Sequence, residues 1–262
     1  MIFSETLRTL EVDAGSARLH VSADWLQGRS AFGGLQVALA LLAVRTLVPA
    51  GLPLRTLQAT FIAPVPPGPA HAAARVLRAG NSVTHVETRL KQDGQLLALI
   101  VCIFGCARSS TIAYLPPLRE VASGQSLELP PIAGGAAPVF TQHFRASWIS
   151  GSLPFSNDPS RQGVVLLDML DAGPMSEAHL IAIADFIPPV ALSMLPKPTP
   201  GSSMTWMLEL FRENWASLPL EGWRIDTELV AARDGYTSQS TLIHAPDGGL
   251  AAISRQSMVV FA

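Results

Sequence analysis

The sequence predicts an α+β chain of two like halves, each a single apolar helix wrapped by an antiparallel sheet. Three observations point there. The stretch from Gly33 to about Val48 is apolar almost all round, as in a helix buried on every side. Extended stretches separated by strong turn signals follow it. The same order, helix and then strands, recurs after a middle rich in Pro, Gly and Ser.

Taken along the chain, Gly33 and Gly34 open the first helix, and Pro49 and Gly51 stop it. Strands are expected in LRTLQATFIAP, AHAAARVLRAG, SVTHVETRLKQ and QLLALIVCIFG, with PVPPGP, GN and DG between them. Asp93-Gly94 is a hairpin signature, because both central residues of a type I′ turn need positive φ. The middle is weakly periodic and is expected to be a linker over 111–137, dividing an N-terminal half (1–110) from a C-terminal half (138–262). In the second half, strands are expected at VFTQHFRASWIS and GVVLLDML. A helix should span SEAHLIAIADFIP and close at Pro188-Pro189, and strands should follow at MTWMLELFR, GWRIDTELVAA, YTSQSTLIHA and GLAAISRQSMVVFA.

Internal repetition ties the halves together. When Asp93-Gly94 is laid on Asp247-Gly248, Leu96 meets Leu250, Ala98 meets Ala252, Leu90 meets His244 and Thr88 meets Leu242. The turn Gly80-Asn81 falls opposite Asp234-Gly235. The alternative is coincidence between two generic hairpins, since Asp-Gly turns are common. One helix wrapped by antiparallel sheet, present twice, is a double hotdog.

Composition narrows the functional classes. The 262 residues carry a net charge of -2, with 48% hydrophobic and only 15% charged residues. The near-neutral balance, without a basic run, argues against a nucleic-acid partner. The scarcity of charge favours faces buried between halves or subunits, and so a homo-oligomer. No stretch approaches the roughly 20 apolar residues of a membrane span, and the first residues do not read as a secretory signal. Cys102 and Cys106, spaced to share one face of a strand, are expected to be small core residues in a reducing cytoplasm. The six histidines are scattered without metal-ligand spacing, so neither a metal nor a cofactor is expected.

Four segments resemble the acyl-CoA thioesterase II-type family of double-hotdog proteins: AFGGLQVALAL, TLQATFIAPVPPGP, VLRAGNSVTHVETRLKQDGQLLALIVCIFG and DGGLAAISRQSMVVFA. Their order and spacing carry the likeness. The resemblance implies an acyl-CoA substrate and a hydrolytic water held by a carboxylate, a hydroxyl and a Gln of the second half. These fall on Asp185, Thr205 and Gln256, with Ser203 as the alternative hydroxyl.

The residues themselves agree with that chemistry in part. A thioester is already activated, so an oriented, deprotonated water suffices and no covalent nucleophile is needed. The sequence offers none, lacking a G-x-S-x-G elbow and a His near either cysteine. Asp185 is the one charge in LIAIADFIPPVAL, where burial raises the pKa and the basicity of a carboxylate. Its alternative is an ordinary helix-end residue reaching solvent. Thr205 and Gln256 each donate and accept hydrogen bonds, although a strand Thr is commonplace and a strand Gln is usually exposed. Phe32, Gly33 and Gly34 mark the substrate and oxyanion side, where the free N–H groups of a helix start favour negative charge. Tight helix–sheet packing is the other reason for glycines there. The three polar side chains are expected to converge, with Asp185 and at least one partner in hydrogen-bond reach, facing the Gly33-Gly34 turn.

Two rivals remain. A non-catalytic acyl-thioester binding protein would keep the fold and lose the polar trio. A hotdog enoyl-thioester hydratase would need a His that Asn157-Asp158-Pro159 lacks.

Overall fold

A computed structural model describes residues 1–121, 126–129 and 137–261. In chain order the elements are α1 (Phe3–Arg8), β1 (Glu11–Asp13), β2 (Ser16–Val21), β3 (Leu26–Gln27), β4 (Ser30–Ala31), α2 (Gly33–Arg45), β5 (Leu54–Phe61), β6 (Gly68–Ala79), β7 (Val83–Gln92) and β8 (Gln95–Gly105). The second half supplies β9 (Leu127–Leu129), β10 (Phe144–Ser150), β11 (Gln162–Met169), α3 (Glu177–Ala184), β12 (Gly201–Leu210), β13 (Trp223–Arg233), β14 (Tyr236–His244) and β15 (Leu250–Val260).

Thirteen strands form one antiparallel sheet in the order β1-β2-β6-β7-β8-β5-β12-β15-β14-β13-β11-β10-β9. Read outward from the β5–β12 seam, β5-β8-β7-β6-β2 matches β12-β15-β14-β13-β11 strand for strand, as duplication requires. The fold is a double hotdog. The seam is a full ladder, with Thr60 opposite Thr205, Ala59 opposite Trp206 and Thr56 opposite Glu209.

The two helices lie side by side against the sheet. Ten residues of α2 and seven of α3 are buried, which is why neither shows a polar face. They run antiparallel: Gly34 approaches Ala182 and Asp185 at one end, and Arg45 pairs with Glu177 at the other. A Cβ on Gly34 would lie 2.9 Å from the Ala182 Cα, so glycine sets the closeness of the helix pair.

Several sequence-based expectations need adjusting. The first helix ends at Arg45 rather than Val48, because the Thr46 hydroxyl bonds the Ala43 carbonyl and the Leu47 N–H turns back to Val44. The second ends at Ala184, where Asp185 leaves helical geometry and the Phe186 N–H bonds Ile183. Val139–His143 forms a 3-10 turn before β10. The Asp93-Gly94 turn has positive φ at both residues, as does Asp234-Gly235, but at Asp247-Gly248 only Gly248 does and the loop is longer. The equivalent hairpins therefore align, while their turns differ in type. Cys102 is buried in β8, whereas Cys106 lies just beyond the strand and is exposed. Within 111–137, read as linker, β9 pairs with β10; residues 122–125 and 130–136 of that stretch lie outside the described residues.

Candidate functional site

Asp185 sits at the C-terminal cap of α3, with φ -97° and ψ 0°. A carboxylate there faces the negative end of its own helix, which is unfavourable. The antiparallel pairing brings the N-terminus of α2 to the same point, and the Gly34 N–H donates to Asp185 Oδ2 at 2.7 Å. That N–H is one of the four with no acceptor inside its own helix. The same geometry explains Gly33: a Cβ on it would stand 2.6 Å from Asp185 Oδ2. Phe32, the N-cap residue, is fully buried and stacks on Phe140 with centroids 4.0 Å apart.

Gln256 completes the carboxylate's shell. Along β15, Ser254, Gln256 and Met258 face the helices, while Arg255 is exposed on the outer side. The Gln256 side-chain amide donates to Asp185 Oδ1 at 2.6 Å. Behind it, Gln239 of β14 donates to Gln256 Oε1 at 3.3 Å and accepts the Val190 N–H at 3.0 Å. Asp185 keeps partial solvent access. Burial nevertheless pushes its carboxyl from the ordinary 3.8 up to about 7, against the lowering pull of Gln256 and Gly34.

Thr205 does not join them. Trp206, Leu208 and Leu210 are buried on the inner face of β12, so Thr205 is exposed on the outer face, opposite Ser257 and Thr60. The cause is a register shift between Ser203 and Thr205, where β12 carries one extra residue against β15. Trp206, not a hydroxyl, stands cross-strand from Gln256, and its indole N–H donates to Ser254 Oγ at 2.9 Å. Ser203 pairs with Met258, an inward position, but is bonded to neither Asp185 nor Gln256. Thr205 instead borders a trough of about 280 Å³ on the outer face of the seam, with Gln58, Thr60, Met207, Arg255 and Ser257. At the glycine turn the Gly34 N–H points at the Asp185 carboxylate.

A buried carboxylate with a pKa near neutrality, held on both oxygens, can take a proton from a water beside it. Comparison with known proteins gives the family. Residues 21–106 match the model of the acyl-CoA thioesterase N-terminal domain, and residues 120–260 match that of the acyl-CoA thioesterase C-terminal domain. The chain belongs to the acyl-CoA thioesterase family.

No curated relative matches the sequence significantly. Among solved structures, a hot dog fold protein from Alicyclobacillus acidocaldarius superposes with a TM-score of 0.83 at 22% identity, covering 98% of this chain and 97% of that one. The tesB protein of Mycobacterium avium subs paratuberculosis gives 0.78 at 15% identity, over 99% of each chain. The acyl-CoA thioesterase II TesB2 of Mycobacterium marinum gives 0.73 at 18%, over 98% and 96%. At these identities the structures speak for the fold.

The duplicated thioesterase fold has a second place where helix ends meet, at the α2 C-terminus and the α3 N-terminus. Here it holds an ion pair. Arg45 grips Glu177 through two nitrogens, bonds the Leu52 carbonyl and lies 4.6 Å from the Phe104 ring centre. Cys102 occupies the β8 position that corresponds to Gln256 under the Asp-Gly alignment. Burial pushes its thiol up to about 12. Among the described residues, the arrangement of carboxylate, amide and helix N-terminus thus occurs at one end of the helix pair only.

Proposed function

We propose that this chain hydrolyses an acyl-CoA thioester using a water activated by Asp185. The observation that carries the proposal is the buried carboxylate with a pKa of about 7, anchored by Gly34 and Gln256. Asp185 takes a proton from water as the oxygen attacks the thioester carbonyl. The tetrahedral oxyanion forms near the α2 N-terminus, where the Gly33 N–H, at the first helical position, has no intrahelical acceptor. Collapse breaks the C–S bond. The thiolate recovers the proton from Asp185, releasing the acid and coenzyme A thiol and restoring the carboxylate.

The trio expected from the resemblance narrows to Asp185 and Gln256, with Gly34 as an anchor rather than an oxyanion donor and Phe32 setting the start of α2 from within its aromatic stack. A direct attack by water fits Cys102, whose thiol, pushed up to about 12 by burial, is a poor nucleophile at neutral pH. Two free cysteines agree with a reducing cytoplasm, and among the described residues no helix is long and apolar enough to cross a membrane. The low charge of the whole chain, 15% of residues, agrees with a homo-oligomer, and an acyl-CoA substrate agrees with a role in lipid metabolism.

A panel of acyl-CoA chain lengths, assayed for free thiol in ¹⁸O-labelled water, tests the proposal. Thiol release with label in the acid, and no acylated protein by mass, is expected. Absence of thiol release across the panel, with acyl-CoA still bound, favours the non-catalytic binding protein. Trp206 cross-strand from Gln256, with Thr205 and Ser203 both away from Asp185, is the observation on that side.

A further inference from the structure

We propose that Gln239 is a positioning residue that fixes the proton polarity of the Asp185 site through a hydrogen-bond relay anchored on the backbone of Val190. The inference rests on the proposed role of Asp185 as base and extends it to a residue that does not touch the carboxylate.

The argument runs on donors and acceptors. The Val190 N–H only donates. It meets Gln239 Oε1 at 3.0 Å, so the Gln239 amide nitrogen must face the other way, where it meets Gln256 Oε1 at 3.3 Å. Gln256 is then committed in turn, and its nitrogen reaches Asp185 Oδ1 at 2.6 Å. Side-chain amides are nearly symmetric in shape, and only their partners decide which end is oxygen. Here a backbone N–H makes that decision two side chains away from the base.

At the far oxygen the same condition holds, because the Gly34 N–H also only donates. Asp185 therefore meets a donor on each side, and both bonds are stronger to the charged carboxylate than to the acid, while each oxygen keeps a second lone pair for a proton taken from water. The relay holds the carboxylate in its base form against the burial that opposes it. Gln239 and Gln256 are 3% and 4% exposed, so neither amide has water as an easy substitute partner. Among the described residues no charged side chain competes for the role. Arg45, Glu177 and His179 lie at the opposite end of the helix pair, Arg255 is on the outer face, His244 is at the far end of β14, and Arg29 is exposed in the β3–β4 turn. None of them contributes to the Asp185 shift.

Pro188 and Pro189 precede the anchor, and Val190 opens a 3-10 turn that ends at Met194. The two prolines restrict the backbone on which the relay rests.

The test is Gln239→Met, close in volume and without donor or acceptor at the relay. The Asp185 titration is followed by ¹³C carboxyl NMR, assigned by difference from Asp185→Asn, and the acid limb of kcat is measured alongside. The expected result is a rise of about one pH unit or more in the Asp185 midpoint, with the acid limb moving by the same amount. Thr241→Val, which removes a buried hydroxyl bonded to Thr227 on the same sheet face, serves as the structural comparison. It should lower Tm and leave both midpoints in place. Should Gln239→Met not fold, the wild-type side-chain amide protons are followed by ¹⁵N NMR. The Gln239 resonances are expected to shift with the Asp185 midpoint, as those of Gln256 do. An unmoved Asp185 midpoint in Gln239→Met, or Gln239 amide resonances indifferent to that titration, overturns the relay. Hydrolysis that survives Asp185→Asn overturns instead the role of Asp185 as base, and the NMR outcome then still decides the relay.

Discussion

Gln256 and Asp185, on a strand and a helix end far apart in sequence, meet through a 2.6 Å hydrogen bond in which the amide donates and the carboxylate accepts. Gln256→Leu removes that donor and leaves Asp185 Oδ1 without its partner. A hydrogen bond to a charged group is worth about 1.5–3 kcal/mol, so turnover should fall about 10- to 100-fold. Steady-state kinetics on the folded variant checks this, and unchanged turnover would detach Gln256 from the reaction.

The two glycines of α2 should fail differently. A Cβ on Gly34 meets the Ala182 backbone at 2.9 Å and the Phe32 ring at 2.6 Å, so Gly34→Ala should cost about 1–3 kcal/mol through overpacking of the helix pair. A Cβ on Gly33 meets the Asp185 carboxylate itself, so Gly33→Ala should displace the base and lower kcat with the smaller loss of Tm. Thermal melts set beside kcat separate the two. Equal losses of Tm with equal kcat would deny Gly33 its special contact.

Thr205→Val should leave turnover at the wild-type level, because the side chain is exposed on the outer face of the seam. A marked loss of kcat would return a hydroxyl on that face to the mechanism.

Burial also makes Asp185 a source of pH-dependent stability. Its folded carboxyl titrates at about 7 against an ordinary 3.8, so the native state binds the proton more tightly than the unfolded chain. Stability falls as pH rises from about 4 to 7 and levels off above. Asp185→Asn lacks this titration. Its Tm relative to wild type should therefore rise across that window and stay constant beyond it. A difference that does not change with pH would mean that Asp185 is solvated.

Much of this was legible in the sequence for identifiable reasons. Helices apolar on every side and Asp-Gly turns at equal spacing are local signals, and they reported the duplicated helix-and-sheet plan. Asp185 stood out as the one charge in LIAIADFIPPVAL and Gln256 through the resemblance, and the two side chains meet on the inner side of the sheet. Thr205 came from the resemblance alone, and a single extra residue in β12, which no sequence pattern signals, turns it to the opposite face. Gln239 was missed because YTSQSTLIH is polar on both faces, so alternation does not say which side is buried. The six-residue α1 gave no periodic signal. It is held in place by tertiary contacts, notably the Ser4 N–H and hydroxyl on the Asp171 carboxylate, both at 2.7 Å.

The most direct test of the central claim is the pH profile of thioester hydrolysis by wild type and Asp185→Asn on one acyl-CoA. The wild-type kcat should rise with pH through about 7 and level off as Asp185 becomes a carboxylate. Asp185→Asn, with the same volume and no basic oxygen pair, should fold, bind acyl-CoA and turn over about 10²-fold or more slowly, with that limb gone. Near-wild-type turnover in the variant, with the limb still at the same pH, would contradict the assignment of Asp185 as the base.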